Sequence, residues 1–213
     1  MLEYCSTPSS TSRKSTASYK LYDAISRIDS PVDAVVSRPP LTDPILVAET
    51  INSVPLTPNG SAWLSVRDVR MSGGTLSLAP EAITVFLCGR GWHLADKVYC
   101  RAATQVDTIK SLKTSRRYFG SVGFWLRFTR LPPAEAYCDD RLFASCQQIW
   151  ERGDTEDFSW YSTPIELTCP EGGTVADPFG GMMVGEAALR AERNFIGIAE
   201  DIEVIDSHLK TLK

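Results

Sequence analysis

The sequence is poor in the residues that build metal sites and disulfide frameworks. It has two histidines, His93 and His208, and none of its six cysteines is spaced as Cys-x-x-Cys. No metal site is therefore expected. The cysteines are at positions 5, 88, 100, 138, 146 and 169. Because the sequence shows no secretion signal, they are expected to be reduced, partly buried thiols.

Long apolar runs and an excess of basic residues are also lacking. The longest apolar runs, such as 82–88, are far too short to span a membrane. A net charge of -4, from 22 Lys and Arg against 26 Asp and Glu, excludes a globally basic nucleic-acid binder. We expect a soluble, cytoplasmic or otherwise intracellular protein whose 213 residues, 43% of them hydrophobic, suffice for one domain.

The first 18 residues differ in composition from the rest of the chain. Half of them are Ser or Thr, and few could anchor a core. Residues 1–18 are therefore expected to form a flexible tail outside the fold, and 19–213 a single domain.

Beyond residue 18, short β-branched runs alternate with longer segments of helical apolar spacing, which is typical of an α/β layered domain. The sequence predicts strands over 32–36, 62–66, 92–100, 122–129, 174–176 and 195–198. It predicts helices over 43–54, from Pro80 to Cys88, around 142–150, from the glycine turn to Ala191 and at the C-terminus.

A glycine turn near the C-terminus is the most informative local feature. Asp177, Pro178, Phe179, Gly180 and Gly181 follow a strand and precede a helix. Such a turn brings backbone N–H groups and a helix N-terminus to a strand end, where nucleotide-like cofactors bind. A tight turn chosen for positive φ is the alternative. Downstream, the Glu200 carboxylate follows the next strand closely enough to accept from ribose hydroxyls.

This turn, together with Ala187-Ala188-Leu189 and residues 193–198, resembles the cofactor half of the permuted, or β-class, DNA amino-methyltransferases. That family uses S-adenosylmethionine and carries its catalytic Pro-Pro loop before its cofactor loop. Here Ser37, Arg38, Pro39, Pro40 and Leu41 come early, so the order agrees. The resemblance covers 29–130 and 163–213, separated by a short acidic insert at 131–160. It implies a Rossmann-like methyltransferase fold, three layers around a mostly parallel sheet, with circularly permuted motif order.

The catalytic loop departs from the family pattern. The family places Asp or Ser before Pro-Pro to accept from the target amino group, and an aromatic residue after it to stack on the base. Arg38 has five donors and no acceptor. Leu41 removes a stacking surface worth about 1 to 3 kcal/mol per base. Ser37 lies one position early, although a rearranged loop could bring its hydroxyl inward.

The cofactor side departs as well. Met182 and Met183 occupy the close-approach positions after the second glycine, and Glu200 stands one position later than the family's ribose carboxylate. One residue of shift at a strand end turns the side chain to the other face. The segment 163–167 resembles the start of the family's cofactor-side helix, most of which is expected to be missing. The resemblance implies S-adenosylmethionine as the cofactor, and these departures count against its binding.

Contact with DNA would have to come from one local stripe. Residues 131–160 hold seven acidic residues against two arginines, and such a segment should repel phosphate. Residues 110–130 carry basic side chains interleaved with aromatic ones, which is typical of a nucleic-acid surface and also of a core strand with snorkelling basic ends. The basic residues are Lys110, Lys113, Arg116, Arg117, Arg127 and Arg130.

Two functions are compatible with these patterns. The first is a DNA amino-methyltransferase with reduced or lost activity. The second is a catalytically inactive binding or structural subunit, a pseudoenzyme acting through a protein or nucleic-acid partner. Departures confined to functional loops in an otherwise preserved pattern favour loss of chemistry with retained folding. The short cofactor side favours a homo- or hetero-oligomer.

Overall fold

A computed structural model of the chain describes residues 2–5, 16–21, 28, 30–67, 77–102, 122–145, 149–152 and 158–199. Its strands are β1 (Leu2–Cys5), β2 (Thr16–Leu21), β3 (Val32–Ser37), β4 (Leu56–Val66), β5 (His93–Ala102), β6 (Val122–Thr129), β7 (Ile149–Arg152), β8 (Thr174–Asp177) and β9 (Asn194–Ala199). Its helices are α1 (Pro44–Ser53), α2 (Ala79–Gly89), α3 (Asp140–Ser145), α4 (Ser159–Thr168) and α5 (Met182–Arg190).

The strands form one mixed sheet in the order β1-β2-β9-β8-β3-β4-β6-β5-β7. Five of the neighbouring pairs are parallel and three are antiparallel. The central strands β3 and β8 are parallel neighbours although 140 positions separate their last residues. The expectation of a mostly parallel sheet is confirmed.

Two apolar clusters lie on opposite faces of the sheet, because successive strand side chains point to opposite sides. Val35 of β3 belongs to the cluster that also contains Ile51 of α1 and Ile83 of α2. Its neighbour Val36 belongs to the cluster that contains Ile165 of α4 and residues of α5. Helices therefore cover both faces, and the domain has three layers.

The predicted strands and helices are largely confirmed. Asp43 caps α1, since its carboxylate accepts from the backbone N–H groups of Ile45 and Leu46. The strand predicted over 62–66 begins earlier, at Leu56. The predicted C-terminal helix lies outside the described residues. None of the helices within the described ranges has the length and apolar character needed to cross a membrane.

The N-terminal residues differ from the expected tail. Leu2–Cys5 and Thr16–Leu21 are strands, and β2 pairs with β9 in parallel register while β1 pairs with β2. A strand at the margin of a sheet is held by backbone hydrogen bonds, so the Ser- and Thr-rich composition does not prevent pairing. The expectation that all of 1–18 lies outside the fold is corrected for these segments.

Two further predictions between the halves are corrected. The helix predicted around 142–150 is the shorter α3, capped by the Asp139 carboxylate, followed by strand β7. A short apolar run does not distinguish a strand from a helix by periodicity alone. The helix thought to start at residue 163 is α4, which starts at Ser159, so residues 163–167 form its second half rather than a truncated beginning.

Candidate functional site

The candidate site lies between β3 and β8, the two neighbouring strands from which the chain continues to opposite sides of the sheet. From β3 the chain passes through α1 to β4 on one side, whereas from β8 it passes through α5, on the opposite face, to β9 on the other side. Such a switch point leaves a crevice outside the carboxyl ends of the two strands, where ligands of open α/β sheets bind. Ser37 ends β3 and Asp177 ends β8.

Ser37 and Asp177 join the two strand ends directly. The Ser37 hydroxyl donates to the Asp177 Oδ1 atom over 2.7 Å. Both residues are buried, at 0% and 2% exposure. Ser37 is the last residue of β3, not part of a rearranged loop, and its hydroxyl has the Asp177 carboxylate as its partner. Full burial leaves its oxygen no open path to a ligand.

The glycine turn is built around the same carboxylate. Asp177 Oδ1 also accepts from the backbone N–H of Phe179 at 2.9 Å, and the carboxylate accepts from the backbone N–H of Gly181. Gly180 has φ +82°, a conformation that glycine adopts without steric cost. A Cβ atom on Gly181 would lie 2.0 Å from Asp177 Oδ2. The close approach of the carboxylate therefore requires the second glycine.

The burial of Asp177 has an electrostatic consequence. Removal from water raises its pKa to about 6, and the hydrogen bonds from Ser37, Phe179 and Gly181 oppose the rise because they stabilise the charged form. The buried carboxylate thus holds the turn in shape by accepting from the backbone N–H groups of Phe179 and Gly181. Of the predicted cofactor-binding residues, Asp177 and Pro178 are buried, while Phe179, Gly180 and Gly181 are partly exposed. Glu200 lies outside the described residues.

The predicted catalytic loop follows β3 along the same crevice. Arg38 and Pro40 are exposed and Pro39 is buried. Leu41 is half-buried and packs against the apolar cluster that contains α1. The structure therefore brings the two predicted loops together, with the exposed residue Arg38 at the position where the family that the sequence resembles places an acceptor.

Two members of the predicted basic stripe have partners within the protein, but only Arg127 is buried, whereas Arg130 is exposed. Arg127 is 3% exposed, pairs with Asp96 at 3.1 Å and donates to Ser61 and to the Tyr137 carbonyl. Arg130 donates to Asn52 and to the Arg90 carbonyl, and its guanidinium lies 4.1 Å from the centre of the Trp92 ring.

The aromatic residues nearby belong to the core, since Trp125 and Phe128 are 0% exposed. The stripe interpretation is corrected for Arg127, because a buried side chain held by internal partners is not offered to phosphate. For the exposed Arg130 it stays a prediction. Lys110, Lys113, Arg116 and Arg117 lie outside the described residues.

Four cysteines in the described part of the chain take part in no disulfide. They are Cys88, Cys100, Cys138 and Cys169. Burial raises the pKa of Cys169 to about 12, so its thiol is unreactive near neutral pH. Within the described ranges, no group of three or more His, Cys, Asp or Glu side chains is arranged to hold a metal ion.

The chain is similar to known proteins in its fold but not detectably in its sequence. No family model matches the chain, and no curated protein matches it significantly by sequence. Among solved structures, the PvuII cytosine-N4-specific DNA methyltransferase is similar over 91% of this chain and 85% of its own, with a TM-score of 0.75 and 15% identity.

Two further solved structures show the same similarity. The M1.HpyAVI–SAM complex is similar over 92% of this chain and 99% of its own, with a TM-score of 0.69 and 19% identity. The Thermus thermophilus protein TTHA0409, complexed with S-adenosyl-L-methionine, is similar over 86% and 87%, with a TM-score of 0.65 and 16% identity. The chain therefore has the Rossmann-like fold of DNA methyltransferases, which confirms the predicted fold class.

Proposed function

We propose that the chain is a member of the DNA amino-methyltransferases that binds S-adenosylmethionine at its glycine turn and whose methyl transfer is reduced or lost. The observation that supports this most directly is the hydrogen bond between Ser37 and Asp177. It aligns the catalytic-loop strand with the cofactor-loop strand at the switch point, and it buries the hydroxyl that could have served as an acceptor.

The turn fits an adenosine-type cofactor. Phe179, Gly180 and Gly181 are partly exposed at the crevice. The N-cap residue of α5, Gly181, has no side chain to bond the N–H groups of the first turn, so these groups are available to a ligand. These three residues would contact the cofactor, with Met183 at the rim and the carboxylate of Glu200 as the candidate ribose acceptor. When bound, S-adenosylmethionine supplies a methyl group on a positively charged sulfur.

The target side of the crevice lacks the groups that methyl transfer to an amino group needs. An exocyclic amino group is a donor that develops positive charge as it attacks, so the loop must offer an acceptor. Arg38 offers only donors and a positive charge, and the Ser37 oxygen is buried. Leu41 provides no ring for stacking. We therefore expect slow or absent transfer even with cofactor bound.

DNA is the proposed macromolecular partner of this activity. The neighbouring structures of PvuII and M1.HpyAVI have the same fold, and the first is by name a DNA methyltransferase. Because Arg127 is buried and paired, phosphate contacts in the stripe would come from the exposed Arg130 and from Lys110, Lys113, Arg116 and Arg117.

Calorimetric titration with S-adenosylmethionine tests the cofactor part of the proposal. We expect micromolar binding and a rise in melting temperature with ligand concentration. Met183→Glu should weaken binding, because a charged side chain would stand at the edge of the turn, while the fold is retained since a carboxylate suits a helix N-terminus. Met183→Leu is the matched control. Absence of heat and of stabilisation at millimolar ligand would overturn the cofactor part.

Methyl transfer is tested separately, with a radiolabelled cofactor and DNA of mixed sequence. We expect little or no labelling by the wild-type protein. The double variant Arg38→Asp, Leu41→Tyr restores an acceptor and a ring, so its labelling rate should rise above the wild-type rate. Rapid transfer by the wild-type protein would contradict the proposed loss of activity.

The second candidate is a catalytically inactive methyltransferase-like subunit that acts through a protein or nucleic-acid partner. It is favoured by the same exposed guanidinium of Arg38 in a fold that is otherwise preserved. This candidate predicts no cofactor binding and a homo- or hetero-oligomer. Light scattering of the purified protein, alone and with DNA, measures the assembly size that this candidate requires.

A further inference from the structure

A second feature lies at the amino-terminal end of β3, the end opposite to Ser37, where β4 departs from its register with β3. Between the partners of Val32 and Ala34, β4 advances five residues while β3 advances two, so β4 carries three extra residues. Bulges are frequent next to functional sites because they redirect side chains. Here the extra residues belong to the segment Thr57-Pro58-Asn59-Gly60.

This bulge forms one wall of a cavity of about 250 Å³. Pro58 and Thr57 line it from the bulge, Tyr137 from the loop after β6, and Pro170 from the turn after α4. Asp33 of β3 also lines it. Asp33 and Ser37 are four residues apart on one strand, about 13 Å, so the cavity is separate from the switch-point crevice.

The Asp33 carboxylate is fixed but not neutralised. Its Oδ1 accepts from the Thr57 hydroxyl at 3.2 Å, and its Oδ2 accepts from the Thr174 backbone N–H at 2.8 Å. An ionised carboxylate has about four acceptor positions, so about half of its capacity remains. Across the described part of the chain, no Lys, Arg or His nitrogen lies within 4 Å of it.

Besides the bond between Thr57 and Asp33, other contacts that do not use this carboxylate hold the walls of the cavity in place. The Tyr137 N–H donates to the Asn59 carbonyl at 2.9 Å, and Arg127 donates to the Tyr137 carbonyl at 3.0 Å. Arg193 donates to the Cys169 carbonyl, next to Pro170, at 3.1 and 3.0 Å. Both guanidinium groups are thereby engaged with carbonyl oxygens, and the cavity is preformed.

We propose that this cavity binds an alkylammonium group, carried by a small free amine or by a lysine side chain. Among the described residues, no Lys, Arg or His nitrogen lies within 4 Å of this carboxylate. Two prolines and a tyrosine line the cavity together with Thr57, Asn59 and Thr168, and a cation on a short apolar stem complements this lining. The volume lies just below the usual range of small-molecule pockets, which suits a short diamine or one side chain.

The proposal is tested by calorimetry and amide NMR with 1,4-diaminobutane as the probe and 1,4-butanediol as its uncharged counterpart. The diamine should bind saturably and shift the signals of Thr57, Asn59 and Tyr137, and the diol should not bind. Asp33→Asn keeps the shape of the side chain, and it should weaken diamine binding by about tenfold or more because the charge pair is lost. Glu135→Gln is the matched control, since it removes one exposed negative charge from the neighbouring loop.

A second variant covers the case in which Asp33→Asn fails to fold. Asn59 is exposed, so Asn59→Lys should fold and bring an ammonium group of its own near Asp33, which blocks the diamine. Asn59→Gln should bind it normally. Tighter binding of the diamine than of an N-acetyl-lysine amide identifies a free amine as the ligand, and the reverse order identifies a lysine side chain.

Three results would overturn the proposal: no saturable binding of either cation at millimolar concentration, equal binding of diamine and diol, or equal loss of binding in Glu135→Gln and Asp33→Asn. None of these measurements needs S-adenosylmethionine, so their outcome is independent of the cofactor proposal.

Discussion

The Ser37 hydroxyl and the Asp177 carboxylate, 140 positions apart in sequence, form a buried hydrogen bond of 2.7 Å that joins the ends of β3 and β8. The bond prolongs the pairing of the two strands beyond the register of Val35 with Ala176. It also fixes the carboxylate around which the glycine turn closes. Strand pairing and the shape of the candidate cofactor loop therefore depend on the same two side chains.

The pH dependence of stability should reveal Asp177. Its pKa in the folded protein is about 6, above the ordinary 3.8, chiefly because of burial. Between these values the folded state holds a proton that the unfolded chain has lost, so stability falls as pH rises from about 4 to about 6. Across this window, the free energy of unfolding of the wild type, measured in urea, should therefore fall by about 2 kcal/mol relative to that of Asp177→Asn. Parallel curves for the two proteins would contradict the assignment.

Ser37→Ala should destabilise the protein in a pH-dependent manner. The hydroxyl donates to a carboxylate, and a hydrogen bond to a charged group is worth about 1.5 to 3 kcal/mol. The loss should be larger at pH 7.5, where Asp177 is ionised, than at pH 4. The control is Ser53→Ala, because the exposed Ser53 hydroxyl bonds only to the Thr50 carbonyl at the end of α1. Equal effects of the two changes in urea denaturation would argue against a special role for Ser37.

Gly181→Ala should lower the melting temperature. The new Cβ would lie 2.0 Å from Asp177 Oδ2 and 2.8 Å from a Val184 methyl group. Overpacking of this kind costs about 1 to 3 kcal/mol. Gly89→Ala is the matched control, since no atom lies within 4 Å of a Cβ there and alanine favours the helix by up to about 1 kcal/mol. Thermal denaturation should order the proteins Gly181→Ala, wild type, Gly89→Ala, from least to most stable.

Arg127→Gln should affect stability without affecting DNA affinity. The change leaves the Asp96 carboxylate, 27% exposed at its side chain, without its partner, and it removes the donors to Ser61 and the Tyr137 carbonyl. Breaking a buried pair costs about 3 to 5 kcal/mol, and the partial exposure of Asp96 places the value at the lower end. Arg190→Gln, which breaks the i,i+4 pair between the exposed Arg190 and the partly buried Glu186, should cost less, about 0.5 kcal/mol. Weaker DNA binding by folded Arg127→Gln would show that its guanidinium reaches phosphate after all.

The remaining part of the basic stripe is testable by salt titration of DNA binding. Combined neutralisation of Lys113, Arg116 and Arg117 should weaken binding and reduce the slope of log affinity against log salt by about 0.9 for each phosphate that the variant no longer neutralises. Arg141→Gln, an exposed change on α3, should leave the slope unchanged. A triple variant with the wild-type slope would remove this segment from the candidate nucleic-acid surface.

Most of the strands and helices could be predicted from local sequence patterns. Alternation and helical periodicity predicted β3, β6, α1 and α5, because each buries its own apolar face and shows that face in its own residues. They missed β1 and β2, whose backbone pairing needs no apolar side chains. They also predicted a helix that extended into the residues of β7. The bulge in β4 was missed too, although Pro58, Asn59 and Gly60 are turn-forming residues that could have signalled it.

The residues of the candidate site were named from sequence motifs, yet their roles came from the fold. Ser37 and Asp177 each belong to a recognisable loop, but a hydrogen bond across 140 positions has no trace in either segment, since it exists only when β3 and β8 become neighbours. The same holds for Arg127. Its charge predicted a contact with phosphate, but in the fold β5 lies beside β6 and Asp96 of β5 is its partner. Residue type limits what a side chain can donate, accept or bury, while its partner, and therefore its role, depends on which distant strand lies beside it.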